Sequence, residues 1–372
     1  MLGLVFCTYF VMKNKLRVAI LFGGRSAEHE ISVISARNIF AAMDKSKYEV
    51  IAIGIDNQGR WSYDKGARLL RDEQKRVMPF DDAQVTAILP GAKQSSLVPL
   101  SGGSLGVDVV FPVLHGPFGE DGTVQGLLKL ANMPFVGASV LGSAIGMDKD
   151  VMKRLLRDAS IPVGRFHAYD RSTADRIQYS RIKKALGQPL FVKPANLGSS
   201  VGISKVANRP ELEAAVKKAF RFDNKILIEE FIEGREIECS VLGNEDPIAS
   251  LPGEIVTGHN FYSYEAKYID DQGSRLEIPA KLPRATVKSV QEIAIATYKT
   301  LCCEGMARVD FFVKNDGQVL VNEINTIPGF TQISMYPKMW EASGIPYPKL
   351  IDRLIQLALQ RFRREQRLRT SV

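Results

Sequence analysis

The sequence predicts an α/β protein of two or three domains that opens on a parallel sheet, and three observations carry this. At 372 residues the chain is longer than one simple core needs. Hydrophobic residues make up 45% and charged residues 24%, an ordinary globular balance that excludes disordered, collagen-like and coiled-coil classes. The first third alternates short apolar runs with helical patterns, the signature of βαβ units.

In chain order, residues 16–22 (LRVAILF) read as a buried strand, and Gly23-Gly24 turns the chain into a helix over about 28–43. Further strands are expected at 48–55 and 107–114, with the polar stretch from about 61 to 103 as an irregular insertion. From residue 147 the texture changes. A helix is predicted at 148–157, strands at 163–169 and 190–193, and a Gly/Ser turn entering a strand at 198–206. A helix with Pro near its first position follows at 210–220, then a strand at 225–231. A third unit has strands at 237–242 and 305–313, the latter turning through Asn315-Asp316-Gly317 into 318–324. The expected domains are 13–137, 138–232 and 233–372.

The formal net charge is +8, which invites a nucleic-acid or anionic-substrate reading. Placement weakens it: residues 361–372 hold five Arg and one Glu, half of the excess, and read as a tail that the core does not need. Cys7, Cys239, Cys302 and Cys303 show neither metal-ligand nor disulfide-framework spacing, which fits a reducing, cytoplasmic setting. The apolar stretch 1–12 is too short to span a bilayer, and its positive charges follow it, so it is not read as a targeting segment. Met12 is an alternative start; native protein beginning at Met1 would remove that idea.

The most informative place is the predicted hairpin ARVDFFV–KNDG–QVLVNEIN. Period-2 alternation puts Arg308, Asp310 and Phe312 on one face, and Glu323 and Asn325 on one face of the partner strand. Two carboxylates and an amide oxygen beside an Arg suit Mg²⁺ carrying phosphates. A solvated strand face is the bland alternative, but these acids sit among Val, Phe and Ile and lead into Thr326-Ile327-Pro328-Gly329. In KPANLGSSVGISKV a strand ends in Lys193 and a Gly/Ser turn offers N–H groups and hydroxyls to an anion, though the order is not that of a P-loop. By itself that turn is equally a flexible hairpin. Lys149 and Lys193 could both reach phosphates as point charges. The strand ILIEEFI could present backbone edges to a purine, with Glu229 accepting from an exocyclic amine and Glu236 reaching a ribose; alone, acids at a strand end say little. Glu28 has a strong helix-start alternative, with Ser26 as cap. His115, followed by a Gly-rich turn, could equally cap the next helix. Tyr262, Tyr264, Lys267 and Tyr268 form a polar, aromatic loop suited to a lid.

Taken together, LFGGRSAEHEIS, LHGPFGEDGTVQG, GMDKD, FVKPANLGSSVGISKV, ILIEEFIEGREIE, FYSYEAKY, ARVDFF and NEINTIPGFTQISMYP resemble the D-alanine–D-alanine ligase family of the ATP-grasp superfamily. They run in the family's order from about residue 16 to 337. The resemblance implies a three-domain α/β ATP-grasp architecture with an N-terminal parallel-sheet (pre-ATP-grasp) domain, and ATP between the central and C-terminal domains. It implies that Lys149 and Lys193 touch ATP phosphates, that Glu229, Glu230 and the Ile232 backbone hold adenine, and that Glu236 holds ribose. Asp310 and Glu323 would bind one Mg²⁺ and Glu323 with Asn325 a second, Mn²⁺ substituting. Lys267 would contact the γ-phosphate. Glu28 would bind the first D-alanine's ammonium and His115 would lie near its carboxylate. Ser199 and Ser334 would seat the second D-alanine and, with Tyr268, support the Glu28 side. Arg308 and the Gly329 N–H would form an oxyanion hole. A homodimer and a role in peptidoglycan precursor synthesis are likewise implied.

The match has departures. Glu230 stands where many members carry Lys, and residues 1–15 and 361–372 have no counterpart. D-alanine–D-lactate ligases share NTIPGFTQISMYP, but an intact EAKY favours D-alanine. A basic nucleic-acid-binding protein is the competing reading; no aromatic–basic motif supports it.

Overall fold

The computed structural model describes residues 15–369 apart from 65–67, 72–84, 90–96, 101 and 258–273. The chain folds around three sheets. In the first, β1 (Leu16–Gly23) lies between β2 (Tyr48–Ile55) and β6 (Val109–Val113), all parallel. The unbroken apolar run of β1 is what a parallel strand covered on both faces requires. Val18, Ile20 and Phe22 pack toward one side and Ala19 and Leu21 toward the other. Helix α1 (His29–Ala42) covers the first face and α3 (Thr123–Leu130) the second.

The stretch expected to be an irregular insertion contains ordered structure. β3 (Trp61–Asp64) adds antiparallel to β2, α2 (Arg68–Arg71) is one short turn, and β4 (Thr86–Ile88) pairs with β5 (Leu97–Pro99). The turn into β3 is built by Asp56, whose Oδ1 accepts from the N–H groups of Gln58 (2.9 Å) and Arg60 (2.8 Å), with Gly59 left-handed at φ +84°.

After α4 (Val140–Met147), the N-terminus of α5 (Lys149–Asp158) is capped by Asp148, which accepts from the N–H groups of Asp150 and Val151. The second sheet is antiparallel, in the order β7 (Phe166–Asp170), β10 (Lys225–Glu230), β8 (Leu190–Pro194), β9 (Ser204–Val206). Helices α6 (Tyr179–Leu186) and α7 (Arg209–Ala219) share its core, and Pro210 sits in the first turn of α7. The third sheet runs β14 (Ser274–Glu277), β13 (Gly253–Thr257), β11 (Arg235–Gly243), β15 (Gly305–Val313), β16 (Val319–Asn325), with β12 (Ile248–Ala249) beside β11. The long helix α8 (Arg284–Thr300) covers it, and α5 contributes Met152 and Leu156 to the same core.

The C-terminal reading is corrected. After α9 (Met335–Ala342), α10 (Tyr347–Glu365) crosses back to the first sheet, burying Leu350, Ile351, Leu354, Ile355 and Ala358 against the β1 face. Three of the five terminal arginines, Arg361, Arg363 and Arg364, belong to that helix, and the first is built into the interior. Arg361 is 4% exposed; its guanidinium donates to the carbonyls of Gly137 (2.5 Å) and Phe135 (2.8 Å) and stacks over the Phe135 ring. Arg364 pairs with Glu245 and Glu304. Arg361→Ala should therefore lower the urea-unfolding free energy by about 2–4 kcal/mol, because two buried carbonyls lose charged donors. An Arg364→Ala control, at a half-exposed pair, should lose about 1 kcal/mol or less.

Candidate active site

The third sheet supplies the acids. Glu238 on β11 pairs in register with Asp310 on β15, and Asp310 with Glu323 on β16, so three carboxylates form one row across neighbouring strands. The next row is Ser240, Arg308 and Asn325. The alternation read from sequence puts Arg308, Asp310 and Phe312 half-buried at the surface, with Val309, Phe311 and Val313 in the core. Like charges directly opposite repel unless a cation intervenes. Arg308 intervenes: its Nε and Nη2 each donate to Asp310 at 2.7 Å, and Glu238 lies 3.0 Å from the same Nε. Burial alone would make this guanidinium easier to deprotonate, but Asp310 and Glu238 beside it drive its pKa well above the ordinary Arg value. Asn325 also donates to Asp310, at 2.9 Å.

Among the described residues no three His, Cys, Asp or Glu side chains are placed to cage a cation unaided. Two carboxylates and an amide oxygen fit Mg²⁺ when nucleotide phosphates supply further oxygens.

Lysines from α5 and from the second sheet meet this hairpin. Lys149, first residue of α5, donates to the Leu197 carbonyl (2.8 Å) and lies 3.4 Å from Glu323. Lys193, at the end of β8, reaches Asn322 and holds Glu229 at 2.6 Å. The other Glu229 oxygen is 2.8 Å from Lys153, a buried residue of α5 that sequence reasoning missed. Burial alone would raise the Glu229 pKa, but the two ammoniums carry it down to about 2. Glu229 is thus a fixed anion that aims two lysines. The Glu230 carboxylate is held by Arg165, accepting from its backbone N–H (2.7 Å) and pairing with its guanidinium (2.6 Å). Ile232 lies just past β10, and Glu236 sits on β11 opposite Phe312.

The third wall comes from the first sheet's loops. Glu28 stands at the N-cap position of α1, yet its side chain makes no capping bond; Ser26 Oγ accepts from the Glu28 N–H instead (3.0 Å). The Glu28 carboxylate accepts a hydrogen bond from the Ser199 hydroxyl, across from the second sheet's Gly/Ser loop. Ser199 and Ser200 both take left-handed φ, +51° and +60°, an uncommon conformation for non-glycine residues that functional loops retain.

His115 is buried, with Nδ1 3.0 Å from the Ile327 carbonyl; a carbonyl only accepts, so Nδ1 carries the proton. Burial holds its pKa below the usual value, against the pull of Glu28. Glu120, also missed from sequence, accepts from the N–H groups of Gly116 (2.8 Å) and Ile327 (3.1 Å). Burial, with Glu28 adding repulsion, pushes its carboxyl up to about 8. His115 and Glu120 therefore grip both polar groups of the Ile327 backbone and fix the approach to Pro328-Gly329. A Cβ at Gly329 would come within 2.8 Å of Ser334 Oγ, which accepts from the Thr331 N–H at 2.9 Å.

Glu28, His115, Ser199, Arg308, Gly329 and Ser334 thus belong to loops and strands converging from all three sheets. Lys267 and Tyr268 lie outside the described residues, as do Tyr262 and Tyr264.

Residues 17–138 match the family model described as D-ala D-ala ligase N-terminus, and residues 155–356 that described as D-ala D-ala ligase C-terminus. This chain belongs to the D-alanine–D-alanine ligase family. A D-alanine–D-alanine ligase of Oceanobacillus iheyensis is 52% identical over 361 residues, 96% of this chain and 99% of the relative. The structure of the ligase from Coxiella burnetii superposes with a TM-score of 0.83 at 44% identity, covering 95% of this chain and 97% of that one. The Bacillus anthracis ligase complexed with ATP gives a TM-score of 0.71 at 29% identity, covering 94% and 99%. The ligase family's α/β architecture is therefore the architecture of this chain. Among the described residues no helix is long and apolar enough to cross a membrane.

Proposed function

We propose that this chain joins two D-alanines into D-alanyl-D-alanine with conversion of ATP to ADP and phosphate, through a D-alanyl phosphate, for peptidoglycan precursor synthesis. The observation that carries this is Glu28: a carboxylate at a helix start whose side chain makes no capping bond and instead meets Ser199 of the second sheet's Gly/Ser loop. Such an anion suits a substrate ammonium.

A carboxylate is a poor electrophile. An oxygen of the first D-alanine attacks the γ-phosphorus, the β–γ bridging bond breaks, and ADP leaves. Lys149 and Lys193, aimed by their contacts with Leu197 and Glu229, neutralise phosphate charge during the transfer. Asp310, Glu323 and Asn325 are the residues that would hold Mg²⁺, whose chemistry there is to offset charge on the nucleotide phosphates. The free amine of the second D-alanine then attacks the acyl carbonyl, phosphate leaves, and the amine sheds a proton. Arg308 and the Gly329 N–H stabilise the tetrahedral oxyanion. Glu230 and Ile232 would serve adenine through their backbones, Glu229 would reach its exocyclic amine, and Glu236 would take the ribose. Tyr268, Ser334 and Ser199 would seat the second amino acid; Lys267 would meet the γ-phosphate.

The domain division 13–137, 138–232 and 233–372, with α10 returning to the first, belongs to the same proposal, as do two Mg²⁺ ions per site, a homodimer and a cytoplasmic setting. The 52% identity to a D-alanine–D-alanine ligase disfavours D-lactate as acceptor. The test compares D-alanine, D-lactate and D-serine as acceptors by ADP release across pH. D-alanine should be preferred, with a rate that rises toward alkaline pH as its amine loses its proton; preference for a hydroxy acid would contradict the assignment. Glu28→Gln should raise KM for the first D-alanine by about 10²-fold, the loss of one charged contact at 2–3 kcal/mol, and leave KM for ATP within about twofold. Equal loss of both would return Glu28 to a purely structural role.

A further inference from the structure

We propose that Glu238 is a positioning residue that keeps Arg308 at the oxyanion position when Asp310 turns to a divalent cation. The inference rests on the reading of Asp310 as a metal ligand and goes beyond it. A carboxylate offers roughly four lone-pair sites. In the structure three of those on Asp310 accept from Arg308 Nε, Arg308 Nη2 and Asn325 Nδ2, at 2.7, 2.7 and 2.9 Å. A cation drawing on Asp310 therefore competes with Arg308 for the same oxygens. If Asp310 were the guanidinium's only anchor, loading the metal would release the group that must meet the oxyanion.

Glu238 removes that conflict. It occupies the same row as Asp310, one strand away on β11, and its carboxylate lies 3.0 Å from Arg308 Nε. Its side chain is 8% exposed, so water does little to screen the pair. On its other side Glu238 faces Gly253 of β13, which has no side chain to offer a rival partner. The Nε–H points at Asp310 in the structure, and a small turn of the guanidinium transfers that hydrogen bond to Glu238. The acidic row thus divides its work: Asp310 and Glu323 serve the cation, and Glu238 retains the arginine.

The test uses full-length Glu238→Gln and Glu238→Asp. In Glu238→Gln, kcat for D-alanine-dependent ADP release should fall about 10–100-fold, with KM for D-alanine and ATP within about twofold. Mn²⁺ binding with a non-hydrolysable ATP analogue, followed by electron paramagnetic resonance, should weaken about tenfold, because Asp310 is now Arg308's only strong anchor. Glu238→Asp should retain more of both. If the Gln variant does not fold, the Asp variant alone must show reduced kcat with weaker Mn²⁺ binding. Wild-type kcat and Mn²⁺ affinity in Glu238→Gln would overturn the inference, as would kcat, both KM values and the thermal midpoint all worsening together. An inactive wild-type protein would instead overturn the ligase assignment itself.

Discussion

Glu323→Gln is expected to abolish D-alanine-dependent ADP formation, with kcat falling by at least about 10²–10³-fold, the loss that follows removal of one well-placed electrostatic group. Gln keeps the shape of the side chain and its place opposite Asp310, so the β15–β16 pairing should survive. What disappears is the charge that would hold the cation and that Lys149 approaches at 3.4 Å. Both phosphate-side cations are then mis-set at once. The variant should fold, by circular dichroism and thermal unfolding, and still bind D-alanine at Glu28. Normal turnover in a folded Glu323→Gln protein would remove the hairpin from the mechanism.

Arg308→Lys should lower kcat by about 10²-fold while sparing KM for both substrates. Lysine keeps the charge but loses the planar fork that meets both Asp310 oxygens at 2.7 Å. A compact ammonium can neutralise Asp310 or Glu238, yet it cannot hold both and also face an oxyanion. The effect should be larger on dipeptide formation than on ADP release, because acyl transfer needs the oxyanion donor and phosphoryl transfer needs it less. Single-turnover rapid-quench assays that follow ADP and dipeptide separately would check this; equal losses in the two steps would place Arg308 in phosphate binding instead.

Much of this site was legible in sequence because strands alternate. Period-2 alternation was enough to group Arg308 with Asp310 on one strand and Glu323 with Asn325 on its partner; it did not show the irregularity between Asp310 and Phe311 that makes Asp310 and Glu323 register partners. Patterning was also enough for β1, whose apolar run admits only a strand covered on both sides. The residues missed share a different property: their partners are remote in the chain. Lys153 is one turn along α5 from Lys149 and finds Glu229 only when the second sheet docks there. Glu120 joins two backbone donors, the N–H of Gly116 nearby and that of Ile327, 207 residues away, and only the second gives it a place in the site. Glu238 meets Arg308 only because β11 pairs with β15. Arg361 misled in the other direction. A cluster of arginines at a chain end reads as solvated charge, whereas carbonyls at Phe135 and Gly137 recruit it into the interior. At the start of α1, Ser26 bonds the N–H of residue 28 as the helix-start reading expected, and the Glu28 carboxylate meets Ser199, a partner 171 residues away that the sequence did not show.

The central claim is that the three sheets assemble one site in which a D-alanyl phosphate forms and is captured by a second D-alanine. The most direct measurement is isotope transfer. D-alanine labelled with ¹⁸O in its carboxylate is incubated with the protein, ATP and Mg²⁺, and the phosphate and dipeptide are analysed by mass spectrometry. One ¹⁸O in each phosphate released, matched one-for-one by ADP and D-alanyl-D-alanine, is the predicted result. Phosphate free of ¹⁸O, or ADP release without dipeptide, would contradict it.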